Sequence, residues 1–432
     1  MAKDILIKNG TLFSIDSKRK LYNADILIHE NKIQLIQKEI SYHRDSEDLR
    51  IIDASNHIVM PSFYNLHVHL GETIFRTKCD GMNLWEYLNV SHNTYENSLW
   101  KEKESDIHRL SSLITVYECM RNGTGFIVGN RGWKELYQSG LSAICLFPVV
   151  NISKLKNYYN NIEEFYKISE LYKNTNVSVS IFLQSLYLCD AERLSEIKTI
   201  MNSNPEIKLF VHVAETKKEI ELIENKYSNT PIKMLDKFGL LGRNTFCIHS
   251  IYLTDSDIKL LKEKNTKVVL CPVSNLKLND GFPQIKKLIE NEIPIVVGTD
   301  GFATNNSANL LEELKLLALM EHGSINPECL LKMIINNPAE CVYVKQNEGQ
   351  LLVGNMANIS IFKAENYMYP DYSSLISNLI YANSEFQCDY LISNGNIVFE
   401  NNNPSFFDKN QLFDEYNSLT KILFDVKSGG IE

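Results

Sequence analysis

Ile295-Val-Val-Gly-Thr-Asp300 is a short apolar segment that ends in a carboxylate, and its pattern recurs along the chain. An apolar run of this length, bounded by turn residues, is typical of a buried strand. Three earlier apolar segments, Phe63–His69, Lys208–Val213 and Thr245–His249, end in or next to a histidine. Polar side chains that recur at the ends of buried strands indicate a site assembled at one edge of a parallel sheet.

The bulk composition limits the classes of protein to consider. Of 432 residues, 44% are hydrophobic and 22% are charged, which is typical of a globular protein. The net charge of −9 argues against a nucleic-acid partner, because such proteins carry basic surfaces. No apolar stretch is long enough to span a bilayer and no signal-peptide pattern is present, so we expect no membrane partner. Nine cysteines at irregular spacing favour reduced thiols and a cytoplasmic location.

Short strands are predicted at both ends of the chain. Residues 1–60 and residues 346–432 are interpreted as the two parts of one small β-sandwich domain. The first strand, Asp4–Gly10, is predicted to close on an Asn-Gly turn, and the final part adds a helical tail at Asp408–Phe424. The other predicted strands are Ala24–His29, Lys32–Ile36, Asn358–Phe362, Tyr390–Gly395 and Asn396–Phe399, the last two joined at a second Asn-Gly.

Residues 61–345 alternate between candidate strands and amphipathic helices. Eight strands over roughly 280 residues predict an α/β fold, a (β/α)8 barrel of the TIM type, in which functional groups gather at the C-terminal strand ends. The predicted strands are Phe63–His69, Gly125–Val128, Ala143–Val149, Val177–Leu183, Lys208–Val213, Thr245–His249, Lys267–Leu270 and Ile295–Gly298, and helices are predicted at Asp106–Met120, Lys217–Lys226, Asp255–Lys264 and Leu310–Glu321.

Four side chains at these strand ends form a candidate metal site. His67 and His69 are two positions apart on one strand, so both point to the same face and can reach one ion. His212 and Asp300 complete a set that suits a divalent metal with one position left for water. Each residue also has a plainer explanation. His67 and His69 could be polar residues at a strand end, His212 could be a core histidine, and Asp300 could cap the following helix.

The same residues permit hydrolytic chemistry. A divalent ion held in this way lowers the pKa of its water to ~7 and creates a hydroxide nucleophile at neutral pH. Asp300 can take the proton of that water, His249 can steer the hydroxide, and Glu215 can pass a proton to a substrate nitrogen. The alternatives are a structural buried histidine for His249 and an ordinary first-turn helix residue for Glu215.

The motifs together resemble the amidohydrolase superfamily, and within it the branch of methylthioadenosine/S-adenosylhomocysteine deaminases, guanine deaminase-like enzymes and triazine chlorohydrolases. The resemblance extends over nearly the whole chain, including the β segments at its two ends. The matching motifs are Met60–His69, His212–Thr216, His249, Cys271–Leu278 and Gly298–Ser307.

The resemblance implies a metal-dependent enzyme that hydrolyses a non-peptide C–N bond of an amino-substituted N-heterocycle, such as a purine nucleoside derivative, and releases ammonia. It implies a single metal ion, since Ser178–Ser185 lacks the lysine that bridges two metals in binuclear relatives. Zn²⁺ is the expected ion, with Fe²⁺ or Mn²⁺ as alternatives, and a homodimer or homotetramer is expected. The implied roles are metal ligation by His67, His69, His212 and Asp300, and catalysis by Glu215, His249 and Asp300.

Four further residues are candidates for substrate contacts. Trp85 can stack on a heterocycle, Arg131 can bind a carboxylate or phosphate, and Asn275 is expected to line the pocket. The plainer explanations are helix packing for Trp85, a surface ion pair for Arg131 and a turn for Asn275. Gln184 stands where many relatives have a substrate-facing histidine, and a neutral amide cannot titrate as that histidine does.

Three functions are compatible with these residues. The first is an aminohydrolase that releases ammonia from a purine-, pterin- or pyrimidine-like ring. The second uses the same hydroxide to expel another group, either chloride from a triazine or an amine from an amide or amidine. The third is a non-catalytic metal-binding relative, which predicts lost ligands, whereas all six expected groups are present.

Overall fold

The computed structural model describes residues 4–15, 20–41, 49–149, 162–343 and 349–425. In chain order, its strands are β1 (Asp4–Phe13), β2 (Leu21–His29), β3 (Lys32–Gln37), β4 (Leu49–Asp53), β5 (His57–Pro61), β6 (Phe63–His69), β7 (Thr124–Asn130), β8 (Ser142–Val149), β9 (Val177–Leu183), β10 (Leu209–Val213), β11 (Thr245–His249), β12 (Lys267–Leu270), β13 (Ile295–Val297), β14 (Ile359–Lys363), β15 (Gln387–Ser393), β16 (Asn396–Glu400) and β17 (Asn403–Pro404). Its α-helices are α1 (Leu84–Tyr95), α2 (Ser98–Glu102), α3 (Glu104–Arg121), α4 (Trp133–Ser139), α5 (Ile162–Leu171), α6 (Ala191–Ser203), α7 (Lys217–Tyr227), α8 (Pro231–Lys237), α9 (Asp255–Glu263), α10 (Pro272–Lys277), α11 (Ile285–Glu290), α12 (Leu310–Met320), α13 (Pro327–Lys332), α14 (Asn336–Tyr343), α15 (Tyr372–Tyr381) and α16 (Lys409–Asp425).

The strands β6 to β13 form one parallel sheet in which each strand pairs with the next along the chain. The two edge strands also meet, because the backbone N–H groups of Thr299 and Asp300 donate to the His67 carbonyl at 3.1 and 3.0 Å. Asn65 reinforces this seam by donating its amide to Thr299 Oγ1 at 2.7 Å. The strands therefore close into a barrel, and the predicted (β/α)8 fold is confirmed.

Gly298 allows the two edge strands to approach at the seam. A Cβ at this position would lie 2.7 Å from the Cβ and from the backbone nitrogen of His67. Real Cβ atoms essentially never make contacts under 3.0 Å, so only glycine fits here without moving backbone. Close packing against β6, the strand that carries His67 and His69, therefore requires glycine directly after β13.

The barrel strands read as nearly continuous apolar runs because both of their faces are buried. One face packs against the surrounding helices in the largest hydrophobic cluster of the described residues. The other face fills the barrel interior with large side chains, among which Phe210 and Phe246 stack at 4.4 Å between ring centroids. This packed interior supports the polar side chains at the strand ends.

The predicted β domain from both chain ends is confirmed as one mixed sheet in the order β17-β16-β15-β14-β5-β1-β2-β3, with β4 also pairing β1. The two halves join where β14 runs antiparallel to β5, with Ile359 opposite Pro61 and Lys363 opposite His57. The predicted boundary at residues 345 and 346 lies outside the described residues, and the division into domains stays a prediction.

One of the two predicted Asn-Gly turns is wrong. The strand β1 continues through Gly10 to Phe13, and Asn9 forms a bulge with a φ of 61°. The Asn9 N–H donates to Asp25 Oδ1 at 2.9 Å, so a side chain replaces the hydrogen bond that the bulge removes from the ladder. By contrast, Asn394 and Gly395 form the predicted hairpin turn, with φ values of 49° and 73°.

Helices α1 and α16 lie near the C-terminal end of the barrel. Asn83 begins α1 with a capping box, because its side chain accepts from the N–H of Glu86 while Glu86 accepts from the N–H of Asn83. The predicted helical tail is confirmed as α16, and it is anchored by Tyr416, which donates to the Thr73 carbonyl at 2.9 Å. Within the described ranges, no helix has the length and apolar character that a bilayer crossing requires.

Candidate metal centre

Two histidines stand at the C-terminal end of β6. His67 is fully buried, and His69 is nearly so. Their Nε2 atoms lie 3.1 Å apart, and their rings are perpendicular. The barrel seam fixes this strand end, because the His67 carbonyl accepts two backbone hydrogen bonds from the residues that follow β13. Both imidazoles therefore present Nε2 to the same point.

His212 and Asp300 reach that point from β10 and from the turn after β13. His212 Nε2 lies 3.1 Å from His67 Nε2. Asp300 Oδ1 lies 3.3 Å from the Nε2 atoms of both His67 and His69. One nitrogen from each of the three histidines falls within 4.8 Å of the others. The structure thus brings together all four side chains predicted to bind the metal.

Further hydrogen bonds orient these groups. His212 donates Nδ1–H to the backbone carbonyl of Gln184 at 2.9 Å, which leaves the lone pair on Nε2 facing the centre. Asp300 Oδ2 accepts from the hydroxyls of Ser274 at 2.6 Å and Thr304 at 3.0 Å, so Oδ1 is left for the histidines. Such outer contacts fix ring orientation and tautomer at metal sites.

The backbone at the site is held in an uncommon conformation. Asp300 and His249 have φ values of 59° and 69°, in the left-handed region that non-glycine residues rarely adopt. Each such residue costs about 1–3 kcal/mol and persists only where its surroundings hold it. The seam hydrogen bond from Asp300 to His67 supplies one such constraint.

The charge states of Asp300 and His212 favour cation binding. Burial raises the pKa of Asp300, but the hydrogen bond and charge of His67 and the charge of His69 outweigh it, and the pKa lies well below its usual value. Burial lowers the pKa of His212 well below its usual value. For His69, burial is outweighed by the carboxylate of Glu72, and the pKa is raised. An ionised Asp300 and a neutral His212 are the forms that bind metal.

The donor set fits a divalent cation. With Nδ1 of His212 donating outward, its Nε2 lone pair points toward His67 and Asp300. Nitrogen lone pairs and a carboxylate gathered within about 3.3 Å repel one another unless a positive charge lies between them. Three imidazoles with one carboxylate form the mixture of zinc-type sites that keep an open position. These residues can therefore hold such an ion.

Glu215 and His249 form a pair beside the four ligands. Glu215 Oε1 lies 3.5 Å from His249 Nε2, and His249 Nδ1 lies 2.7 Å from Asn275 Oδ1. Burial, then the charges of Asp280 and Glu219, raise the pKa of Glu215 well above its usual value. Burial lowers the pKa of His249 to about 4. At neutral pH, Glu215 can therefore carry a proton beside a neutral imidazole.

Glu219 holds the turn that presents Glu215. Its Oε1 accepts from the Ala214 N–H at 3.2 Å and its Oε2 from the Glu215 N–H at 2.8 Å. Ala214 has a φ of 53°, so this carboxylate stabilises a left-handed residue directly after β10. These two hydrogen bonds fix the backbone from which the Glu215 side chain extends.

A cavity of about 410 Å³ opens onto these groups. Gln184 and Arg131, two of the predicted substrate contacts, line it, together with one face of α1. The other two lie elsewhere: Trp85 packs on Tyr187 at 5.6 Å between ring centroids, and Asn275 is buried beneath His249. Neither Trp85 nor Asn275 belongs to the described lining of the cavity.

Several polar residues of this region contact the site and were not predicted from the sequence. Glu72 lies 2.9 Å from His69 Nδ1 and lines the cavity. A carboxylate three positions after a strand-end histidine was the available signal, and the turn Leu70–Phe75 brings it back over His69. The other missed contacts to site residues come from Thr304, Glu219 and Asn130.

The chain is similar to known proteins over nearly its whole length. A family model described as "Amidohydrolase family" matches residues 58–398. A 5-methylthioadenosine/S-adenosylhomocysteine deaminase of Caldicellulosiruptor saccharolyticus is 30% identical, and the match covers 97% of this chain and 99% of the relative. A 5'-deoxyadenosine deaminase of Methanocaldococcus jannaschii is 29% identical, with 97% and 99% covered. Among solved structures, an adenosine deaminase from Xanthomonas campestris with bound zinc superposes with a TM-score of 0.83 at 18% identity, over 98% of both chains.

Proposed function

This chain belongs to the amidohydrolase family, and from that premise we propose that it is a metal-dependent deaminase that hydrolyses a purine nucleoside derivative and releases ammonia. One observation carries the proposal. Three of the four candidate ligands, His69, His212 and Asp300, line a single cavity at the C-terminal end of the barrel, together with the Glu215–His249 pair. Relatives named as deaminases of adenosine derivatives, matched over nearly their whole length, support the same reaction.

We assign the metal ligands to His67, His69, His212 and Asp300. A divalent cation bound there lowers the pKa of water to ~7 and so supplies hydroxide at neutral pH. Zn²⁺ is the proposed ion, supported by the three-imidazole donor set, and Fe²⁺ or Mn²⁺ would suit the same ligands. The homodimer or homotetramer and the cytoplasmic location stay predictions.

The proton transfers follow from the positions of three side chains. Asp300, ionised and hydrogen-bonded through Oδ2, has Oδ1 available to accept a proton from the attacking water. His249 donates Nδ1–H to Asn275, so its Nε2 can accept a hydrogen bond from that water and steer it. Glu215 carries a proton that it gives to a ring nitrogen of the heterocycle, which makes the amino-bearing carbon easier to attack. The departing amino group takes up the proton from Asp300 and leaves as ammonia, while the hydroxyl formed at the attacked carbon gives its remaining proton back to Glu215 as the carbonyl forms.

An ammonia-release screen on the full chain, reconstituted with Zn²⁺, tests the proposal. Adenosine, 5'-deoxyadenosine, 5-methylthioadenosine and S-adenosylhomocysteine form one panel, and guanine, pterin and cytosine form a second. We expect release from the first panel, and activity on amides or halides alone would reject deamination. His69→Ala should abolish release, whereas His29→Ala, which changes a histidine paired with Asp4 in the terminal sheet, should not.

A further inference from the structure

Glu72 lies between a proposed metal ligand and a helix that borders the cavity. Its Oε1 is 2.9 Å from His69 Nδ1. The phenol of Tyr87, which belongs to α1, lies on the same side of the cavity and close enough to this carboxylate to interact with it electrostatically. Both residues line the cavity. The proposed reaction assigns no role to either.

The proton on His69 Nδ1 is best satisfied by Glu72. Asn130 Nδ2 also lies near this atom, at 3.2 Å. An N–H on the ring cannot face an amide N–H, whereas a carboxylate oxygen at a shorter distance is a strong acceptor. Turning the Asn130 amide over would bring its oxygen, which has no partner among the described residues, toward the ring. Either way, Nδ1–H points outward and the Nε2 lone pair points to the metal site.

The carboxylate is the only charged acceptor found behind the three histidines in the described part of the chain. His212 donates to a neutral backbone carbonyl, that of Gln184. His67 Nδ1 has no hydrogen-bond partner among the described residues. A carboxylate that accepts from a ligating imidazole fixes the ring and raises its basicity toward the metal. His69 is therefore the ligand whose strength depends most on a single neighbour.

The packing leaves Glu72 little freedom. A Cβ on Gly301 would overlap Glu72 Oε2 and would lie 3.2 Å from the Cβ of His69. The carboxylate is thus seated against the backbone that follows Asp300, with its other oxygen beside His69. One side chain consequently lies between the end of β6 and the turn after β13.

We propose that Glu72 is a positioning residue that holds the His69 imidazole as a metal ligand and links it to α1 through Tyr87. This inference rests on the metal site assigned under the proposed function. The new claim is that metal affinity depends on Glu72, although Glu72 does not itself bind the metal.

Glu72→Gln tests the first part, because it keeps the shape of the side chain and removes its charge. We expect the affinity for Zn²⁺, measured by competition with a chromophoric chelator, to fall by about 10–100-fold. The absorption spectrum of the Co²⁺-loaded protein should also change, which a loss of stability alone would not produce. Glu104→Gln is the matched control, since Glu104 lies 3.4 Å from His108 Nε2, a histidine that is not a proposed ligand.

Tyr87→Phe tests the link to α1, because it removes the phenol and leaves the carboxylate in place. We expect a higher KM with Zn²⁺ affinity close to that of the wild type. Unchanged KM would overturn the link. If Glu72→Gln binds Zn²⁺ as tightly as the wild type with an unchanged Co²⁺ spectrum, the positioning role is wrong, while ammonia release by the wild type would leave the proposed function intact. A wild-type protein that binds no metal would overturn both.

Discussion

Gly298→Ala tests whether closure of the barrel sets the geometry of the metal site. The added Cβ would lie 2.7 Å from the Cβ and backbone nitrogen of His67 and 2.8 Å from its carbonyl oxygen. Ordinary carbon contacts begin near 3.4 Å, so one strand must shift by about 0.7 Å. Two of these three contacts are with backbone atoms, which no side-chain rotation can relieve. Overpacking of this kind costs about 1–3 kcal/mol of stability, and a displacement of about 1 Å can cost ~10²-fold in rate.

We expect the variant to melt at a lower temperature, to bind Zn²⁺ more weakly and to release ammonia more slowly. Thermal unfolding, chelator competition and an ammonia assay measure these three effects on the same preparation. Gly242→Ala is the control, because a Cβ there has nothing within 4 Å. A Gly298→Ala protein with wild-type metal affinity and rate would refute the claim that the seam positions the histidine pair.

Three other substitutions separate the roles assigned to the site. Glu215→Gln removes the proton carrier and should lower kcat by about 10²–10⁴-fold with metal content retained; a near-normal rate would contradict that role. Asn275→Ala leaves the buried Nδ1–H of His249 unpaired and should cost about 1–3 kcal/mol in denaturant unfolding, so an unchanged midpoint would exclude the bond as a stabilising contact. Gln184→Ala should raise KM without loss of metal on dialysis, because only its backbone oxygen holds His212; metal loss would count against this division.

The barrel was predictable from sequence because its strands are buried on both faces. Such strands give apolar runs, and Val177–Leu183, Thr245–His249 and Lys267–Leu270 have the same bounds in the structure as in the prediction. The convergence of the four metal-site side chains was predictable for a related reason. Parallel strands place their C-terminal ends at one edge, so residues remote in the chain become neighbours there.

Contacts that depend on a partner from elsewhere in the chain could not be predicted. Asn9-Gly10 has a strong local turn signal, but Asp25 accepts the Asn9 N–H and the strand continues. Glu72 was not predicted, because its spacing of three positions from His69 does not show that the turn Leu70–Phe75 brings the carboxylate back onto the ring. Trp85 lies on the helix that borders the cavity, yet its ring packs against Tyr187. One aromatic residue in a sequence does not show which face of its helix points to the cavity.

The pairing of β5 with β14 has a consequence for how the protein is made. The strand β14, which joins the two halves of the terminal sheet by pairing Ile359 with Pro61, is synthesised only after the entire barrel. Until then β5 offers an open hydrogen-bonding edge, which is the kind of surface that invites association between nascent copies. Chains shortened at the carboxyl end before β14 would keep that edge permanently, and we would look for them in inclusion bodies.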